Sequence, residues 1–144
     1  KENTSFNEFS KNKVDRRFKV FINSEKTKIL LGRNAEENEF LTRNANLKDY
    51  WFHAVADSGA HVIVPFRQFK NNEISEKSKR DAAILALYYS KMKKMNGGDV
   101  YFTRRYNLIK RKSQPLGLWS IKKSSCISIY YKESELKNLL GGML

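Results

Sequence analysis

The residues most suited to acid–base or metal chemistry are two histidines, His53 and His61, the only ones in the chain. They flank the turn-forming Asp57-Ser58-Gly59. A hairpin centred on Asp57 would place the imidazoles opposite each other on one face, with Cβ atoms about 5 Å apart. Rings at that distance could hold a metal with a carboxylate, exchange protons with a substrate, or contact a phosphate. A one-residue shift in register would put them on opposite faces.

Support for metal or hydrolytic chemistry is weak elsewhere in the sequence. A zinc site needs three or four protein ligands, and the further candidates Asp49, Asp57 and Cys126 follow no known ligand spacing. The sequence contains no phosphate-binding loop, nucleophile elbow or H-E-x-x-H pattern. We therefore expect no catalytic residue, bound metal or cofactor. A metal-assisted enzyme built on His53 and His61 is the less favoured alternative.

Positive charge is concentrated in one part of the chain. The protein has a net charge of +13, and residues 100–132 contribute eight Lys or Arg and no Asp or Glu. Aromatic residues are interleaved with these cations, a composition that suits RNA with unpaired bases, because cations neutralise phosphates while rings stack on bases. The residues expected to contact phosphate are Arg104, Arg105, Lys110, Arg111, Lys112, Lys122 and Lys123.

Arg33 stands at the predicted start of a helix, directly before Asn34, which is a favourable N-cap. A helix N-terminus presents unpaired N–H groups and the positive end of the helix dipole, so phosphate could bind there. Glutamates at positions 36, 37 and 39 already complement that dipole and would compete with an anion. Arg33 could equally form a structural ion pair with Glu37 or Asp49, and the sequence leaves both interpretations open.

The overall composition indicates one basic, folded domain. The chain has 144 residues, of which 40% are hydrophobic, and 28 Lys+Arg against 15 Asp+Glu favour a polyanionic partner. The longest apolar run, residues 82–89, is far shorter than the roughly 20 residues of a membrane span, and the N-terminus lacks a signal-peptide pattern. We expect a cytoplasmic protein without a membrane partner. Residues 1–14 are predicted to form a linker or flexible arm, and residues 15–144 a single domain.

The pattern of apolar and turn residues predicts an α+β fold with a hairpin-rich mixed sheet. One long helix is expected over about residues 76–94, ended by Asn96-Gly97-Gly98, with shorter helices near 35–44 and 133–140. Residues 67–76 are predicted to be a polar loop. Strands are predicted in residues 16–22, 26–32, 49–55, 60–66, 99–105, 117–121 and 126–131.

Several motifs together resemble the NFACT-R domain. The segments GRNAEEN (32–38), DYWFH (49–53), GAHVIV (59–64) and YYSK (88–91) occur in its order and near its spacings, as do the shorter RRF (16–18), LT (41–42) and AA (82–83). NFACT-R is the RNA-binding domain at the C-terminal end of NFACT proteins, ribosome-associated quality-control factors often called fibronectin-binding proteins in bacteria. The resemblance covers about residues 16–130.

The resemblance implies an α/β sandwich-like domain that binds RNA on stalled large ribosomal subunits. Full-length members help to add C-terminal tails to stalled nascent chains with the use of transfer RNA, so other domains of a longer native chain are further candidate partners. We therefore predict a non-catalytic RNA-binding module that contacts transfer or ribosomal RNA. A general polyanion binder, which would take DNA or an anionic surface equally well, is the main alternative.

The residues that match the family motifs are expected to include both RNA contacts and structural positions. A second RNA-binding cluster is expected at Arg33, His53, His61 and Lys91, and structural roles are expected for Gly32, Asn34, Asn38, Trp51, Gly59, Ser90 and Gly117. The chain departs from the family pattern in two places. Residues IKRKSQPLG (109–117) differ from the usual Lys-Lys-Pro and Pro-Gly arrangement, and GAHV (59–62) replaces Gly-Ser-His-Val.

Overall fold

A six-stranded antiparallel sheet is the centre of the computed structural model, which describes residues 17–56 and 58–142. Its strand order is β1-β2-β4-β3-β5-β8, and β6 pairs with β7 in a separate small sheet. The strands are β1 (Lys19–Ile22), β2 (Lys28–Leu31), β3 (Tyr50–Ala54), β4 (Val62–Val64), β5 (Gly97–Arg104), β6 (Leu108–Ile109), β7 (Ser120–Ile121) and β8 (Ser125–Tyr130). The helices are α1 (Ala35–Asn44), α2 (Glu76–Tyr88) and α3 (Glu133–Leu140).

The predicted α+β class is confirmed, and both faces of the large sheet are covered. The side chains of β3 alternate between the two faces of the sheet. Tyr50 and Phe52 belong to the core that includes α2, whereas Trp51 belongs to a second core. That second core includes Leu41 of α1 and Leu108 of β6. Successive side chains of a strand point to opposite faces, so an aromatic run in β3 serves both layers. Helices α2 and α3 therefore lie on one face, and α1 with the small sheet on the other.

The short helices begin and end where the sequence predicts. Helix α1 is capped by Asn34, whose side-chain oxygen accepts a hydrogen bond from the Glu37 backbone N–H at 3.0 Å. Helix α3 ends directly before Gly141. Within the described parts of the chain, no helix is long and apolar enough to cross a membrane. The predicted arm, residues 1–14, lies outside the described residues.

The long helix is shorter than predicted. It ends at Tyr88 instead of near residue 94, because the following residues pair with the segment at Gly59. Ser90 forms an isolated bridge with Gly59, and the Ala60 N–H donates to the Tyr89 carbonyl at 3.1 Å. The predicted helix stop at residues 97–98 instead begins β5. The predicted polar loop over residues 67–76 overlaps two 3-10 turns at Phe66–Gln68 and Lys70–Asn72. The predicted strand 117–121 is shorter than expected, because only Ser120–Ile121 forms β7.

Candidate nucleic-acid interface

An open cavity of about 900 Å³ brings the sequence motifs together. It lies between the start of α1, the end of β3, the residues after α2 and the loop 116–119, and we call it the motif cavity. Among its described lining residues there is no Asp or Glu. Segments that are far apart in the sequence therefore form one concave surface, and the part of it that the structure describes has no carboxylate. The second cluster and the structural positions expected from the family resemblance all line it: Gly32, Arg33, Asn34, Asn38, Trp51, His53, Gly59, His61, Ser90, Lys91 and Gly117.

Asn38 holds one corner of the motif cavity together. Its side-chain oxygen accepts from the His61 backbone N–H at 3.0 Å, and its amide group donates to the Gly59 carbonyl at 3.2 Å. The Gly32 N–H donates to the His61 carbonyl at 3.0 Å. A Cβ atom at Gly32 would lie 2.2 Å from the Asn38 side-chain oxygen, so only glycine fits there. These contacts join Gly32, Asn38 and Gly59 into one hydrogen-bonded corner.

The two histidines face each other, as the hairpin prediction requires. The β3–β4 pairing sets Tyr50 opposite Val64 and Phe52 opposite Val62, and its continuation sets His53 opposite His61. Their ring centroids are 5.5 Å apart at an interplanar angle of 78°. No group of three or more His, Cys, Asp or Glu within the described residues is arranged to hold a metal ion.

His61 is a buried, neutral part of the cavity wall. Its Nδ1 lies 2.6 Å from the Thr42 hydroxyl and 3.3 Å from the Trp51 indole nitrogen. An indole N–H only donates, so Nδ1 is an acceptor and the proton of the neutral ring is on Nε2. Burial, assisted by the nearby His53, lowers the pKa of His61 to about 3. At neutral pH His61 therefore contributes no positive charge.

His53 is also neutral but is less enclosed. Its Nδ1–H donates to the Ala54 carbonyl at 2.6 Å, which leaves Nε2 as a hydrogen-bond acceptor. Burial lowers the pKa of His53 below its ordinary value, although the bond to Ala54 acts in the other direction. The ring stacks on Trp51 with centroids 5.6 Å apart and planes within 11°. The pair thus forms an aromatic stack in the cavity wall, in which Trp51 is buried and His53 is half-buried.

The structure shows the ion pair between Arg33 and Glu37. The guanidinium donates through Nε to Oε1 at 2.7 Å and through a terminal nitrogen to Oε2 at 2.6 Å. Burial acts to raise the Glu37 pKa, but these bonds hold it below the usual value. The other sequence candidate, Asp49, instead accepts backbone N–H groups of Asn46 and Phe66 at 2.9 and 3.0 Å.

Four cations line the motif cavity, and we call them the mouth cluster: Lys19, Arg33, Lys91 and Lys93. Lys91 and Lys93 are exposed, and the Lys93 ammonium lies 4.7 Å from the Tyr88 ring centroid. Lys19 donates to the Tyr89 hydroxyl at 3.4 Å. Lys19 and Lys93 are not among the residues predicted from the sequence, because one lies in a strand and the other in the predicted end of the long helix. No local signal distinguishes them from other surface lysines.

Three of the seven cations expected to bind phosphate are held by internal contacts. Arg104 donates to the Tyr50 hydroxyl at 2.7 Å and lies over its ring. Arg105 donates to the Thr42 carbonyl and lies 4.6 Å from the Trp119 ring centroid. Burial lowers the pKa of Arg105. Lys110 forms a 3.0 Å ion pair with Glu39. These contacts give the three side chains structural functions.

The other four of the seven cations expected to bind phosphate are exposed, and we call them the outer loop cluster: Arg111, Lys112, Lys122 and Lys123. They lie on the segments that flank the small sheet of β6 and β7. Arg111 also donates to the Ser120 hydroxyl at 2.6 Å, which ties the loop to β7. The basic stretch of the sequence is therefore divided between packing contacts and a charged surface.

Glu39 connects α1 to the loop that forms one wall of the motif cavity. Its Oε1 accepts the Gly117 N–H at 2.8 Å and pairs with Lys110, while Oε2 pairs with Arg43 at 2.6 Å. Burial acts to raise its pKa, but the bonds from Gly117, Lys110 and Arg43 lower it to about 2. Gly117 has a φ of +81°, a conformation that favours glycine. One carboxylate therefore fixes the position of the loop.

Part of the chain is similar in sequence to proteins named Rqc2 homologs. The Rqc2 homolog RqcH of Bacillus subtilis is 35% identical over 77 residues, which are 53% of this chain and 13% of that protein. The Rqc2 homolog RqcH of Streptococcus suis is 40% identical over 72 residues, 49% of this chain and 12% of that protein. The matched segment thus spans about an eighth of the length of these relatives.

A solved structure and a family match give the wider context. The C-terminal part of the fibronectin/fibrinogen-binding protein from Streptococcus suis has a TM-score of 0.76 and 27% identity, covering 87% of this chain and 49% of that one. The NFACT protein RNA binding domain family matches residues 17–123, which form most of the chain. The protein therefore belongs to the NFACT RNA-binding domain family.

Proposed function

We propose that this domain binds RNA without catalysing a reaction, and that its RNA is transfer or ribosomal RNA on a large ribosomal subunit. The observation that carries the proposal is the motif cavity, where aromatic rings and the mouth cluster meet on a surface without a carboxylate among its described residues. Cations bind the phosphate backbone and rings stack on bases. The family to which the chain belongs, and its relatives named Rqc2 homologs, support this choice of ligand.

The two histidines support binding more than catalysis. His61 is enclosed by Trp51 and Thr42, and His53 uses Nδ1 to bond its own strand. A general acid or base works best with a pKa near the working pH, whereas burial lowers both pKa values. We therefore assign the pair to the shape of the motif cavity, with His53 available to contact RNA.

The two clusters of cations have different roles in the proposal. The outer loop cluster provides electrostatic attraction to the RNA backbone, since its side chains are exposed. Within the mouth cluster, Lys19, Lys91 and Lys93 place RNA over the motif cavity, because the Arg33 guanidinium is already held by Glu37. Arg104, Arg105 and Lys110 support the fold and do not contact phosphate.

Binding measured against salt concentration tests the proposal. Fluorescence anisotropy with labelled transfer RNA gives the slope of log affinity against log salt, which falls by about 0.7 for each lost phosphate contact to a single strand. Replacing Lys112, Lys122 and Lys123 by Gln should lower that slope by about 2 units. A control variant with the same charge change carries Gln at Lys70, Lys132 and Lys137, which are exposed and outside both clusters.

The result that contradicts the proposal is equal loss of affinity in both variants. A DNA duplex of matched length separates RNA recognition from general polyanion binding. Preference for RNA near physiological salt supports recognition of RNA structure or of the 2′-hydroxyl. Equal affinities for both ligands, lost together as salt rises, would favour the polyanion alternative.

A further inference from the structure

We propose that the motif cavity receives the base of a single unpaired nucleotide, which leaves its stack in the bound RNA. This inference rests on the RNA binding proposed above and specifies its ligand. RNA binding alone requires only that the site attract phosphate, whereas this inference assigns the site a base-binding role.

The lining of the motif cavity matches a planar aromatic ligand. Trp51 and His53 are stacked with nearly parallel planes, and Tyr101 is the direct strand partner of His53. Trp119 contributes a second, buried indole from the loop opposite. Trp51 and Trp119 are buried, so the rings open to a base are those of the half-buried His53 and Tyr101. Stacking on these rings is available to every nucleobase, because each base has a π-face. The inner part of the cavity is therefore aromatic, not charged.

The polar groups are placed to recognise a nucleotide and not an isolated hydrophobic ring. His53 offers its Nε2 as an acceptor, suited to an imino or amino N–H of a base. Lys91 and Lys93 are exposed, follow Ser90 of the cavity wall, and can approach the phosphate of an inserted nucleotide. An anionic group at the mouth meets no carboxylate among the described lining residues.

Size restricts the ligand to something smaller than a duplex. A volume of about 900 Å³ lies within the range of small-molecule sites, about 300–1,000 Å³. Bases in an A-form helix remain stacked and cannot enter such a cavity, whereas unpaired bases can be turned outward. Removing an unpaired base from its stack also costs less than opening a base pair. A bulged or looped nucleotide is therefore the form of RNA that fits.

An abasic substitution in the RNA tests the inference on the unmodified protein. The probes are RNA hairpins with a one-nucleotide bulge carrying each of the four bases, the same hairpin with an abasic residue at the bulge, and a fully paired hairpin. We expect at least one base-containing bulge to bind about 10- to 100-fold more tightly than the abasic probe. Equal affinity of the abasic probe and all four bulges would overturn base insertion while RNA binding itself remained. Absence of binding to every probe and to transfer RNA would instead refute the proposed function.

A protein variant provides an independent readout. Placing 2-aminopurine in the bulge reports unstacking and restacking by its fluorescence, which should change on binding and change less in His53→Ala. Tyr106→Ala removes an exposed aromatic ring that does not line the motif cavity, and serves as the matched control. If both variants leave the fluorescence change intact, His53 does not contact the base. If both abolish it, the signal does not arise from the motif cavity.

Discussion

Replacing Glu39 by Gln should release the loop that forms one wall of the motif cavity. The carboxylate receives the Gly117 N–H and pairs with Lys110 and Arg43, and its side chain is only 9% exposed. A glutamine oxygen can still accept the Gly117 N–H. It cannot offset two cations, so Lys110 and Arg43 would be left close together beside Arg105.

The expected loss follows from the pKa of Glu39. Its value in the folded protein is about 2 against 4.5 for the unpaired group, a difference equivalent to about 3 kcal/mol. Because the folded pKa is the lower one, this stabilisation is fully present above pH 4.5 and is lost as the pH falls toward 2. Since glutamine retains one hydrogen bond, we expect Glu39→Gln to lower the free energy of unfolding by about 2–3 kcal/mol at neutral pH.

Urea unfolding at several pH values measures this effect. The difference between the original protein and Glu39→Gln should shrink as the pH falls from 4.5, because the original carboxylate then gains a proton. Glu36→Gln is the matched control, since Glu36 is an exposed residue of the same helix and the substitution removes the same charge. Amide hydrogen exchange at Gly117 should accelerate in Glu39→Gln only. Equal stabilities of the two variants at neutral pH would refute the assignment of Glu39 as the residue that fixes the loop.

Three further predictions concern packing, pH and charge. Gly32→Ala should destabilise the fold by about 1–3 kcal/mol in thermal or urea unfolding, because its Cβ would overlap Asn38, whereas Gly141→Ala, where the nearest atom would be 3.5 Å away, should change little. The buried neutral His61 has a folded pKa of about 3, below its ordinary 6.5, so it contributes stability that is lost as the pH falls below 6.5. In urea unfolding measured at several pH values, the stability of His61→Gln should therefore depend less on pH between 6.5 and 3. An unchanged pH dependence would contradict this. Arg105→Ala should lower the free energy of unfolding by about 1–3 kcal/mol without changing the salt slope of RNA binding. Lys112→Ala should lower that slope by about 0.7 and leave the free energy of unfolding unchanged. The opposite pattern would reverse the roles assigned to the two residues.

Local sequence signals were sufficient for most secondary-structure elements. Asn34 marked the start of α1 because its side chain can cap a helix without any tertiary partner, and the turn predicted at residues 57–59 implied the register that places His53 opposite His61. Such features depend on neighbours within a few residues. The predicted end of α2 was wrong for the same reason, since the bridge between Ser90 and Gly59 joins residues far apart in the sequence.

The sequence by itself determined the α+β architecture, the family and the motifs that meet at the site. Apolar periods of two and 3.6 residues specify strands and helices locally. A cluster of cations without acids, interleaved with aromatic residues, favours a polyanionic partner whatever the fold. These properties depend on short segments of the chain, so they can be predicted without knowing which segments contact each other in the fold.

Only the tertiary structure decided which cations are available to a ligand. Lys110 and Lys112 are the same residue type, two positions apart in the same basic stretch, and composition cannot distinguish them. The Lys110 ammonium is held by Glu39 at 3.0 Å, while Lys112 is exposed. The physical reason is that folding determines which groups neutralise a charge and which charges remain in solvent. Here the neutralising group is a glutamate of α1 that is distant from Lys110 in the sequence.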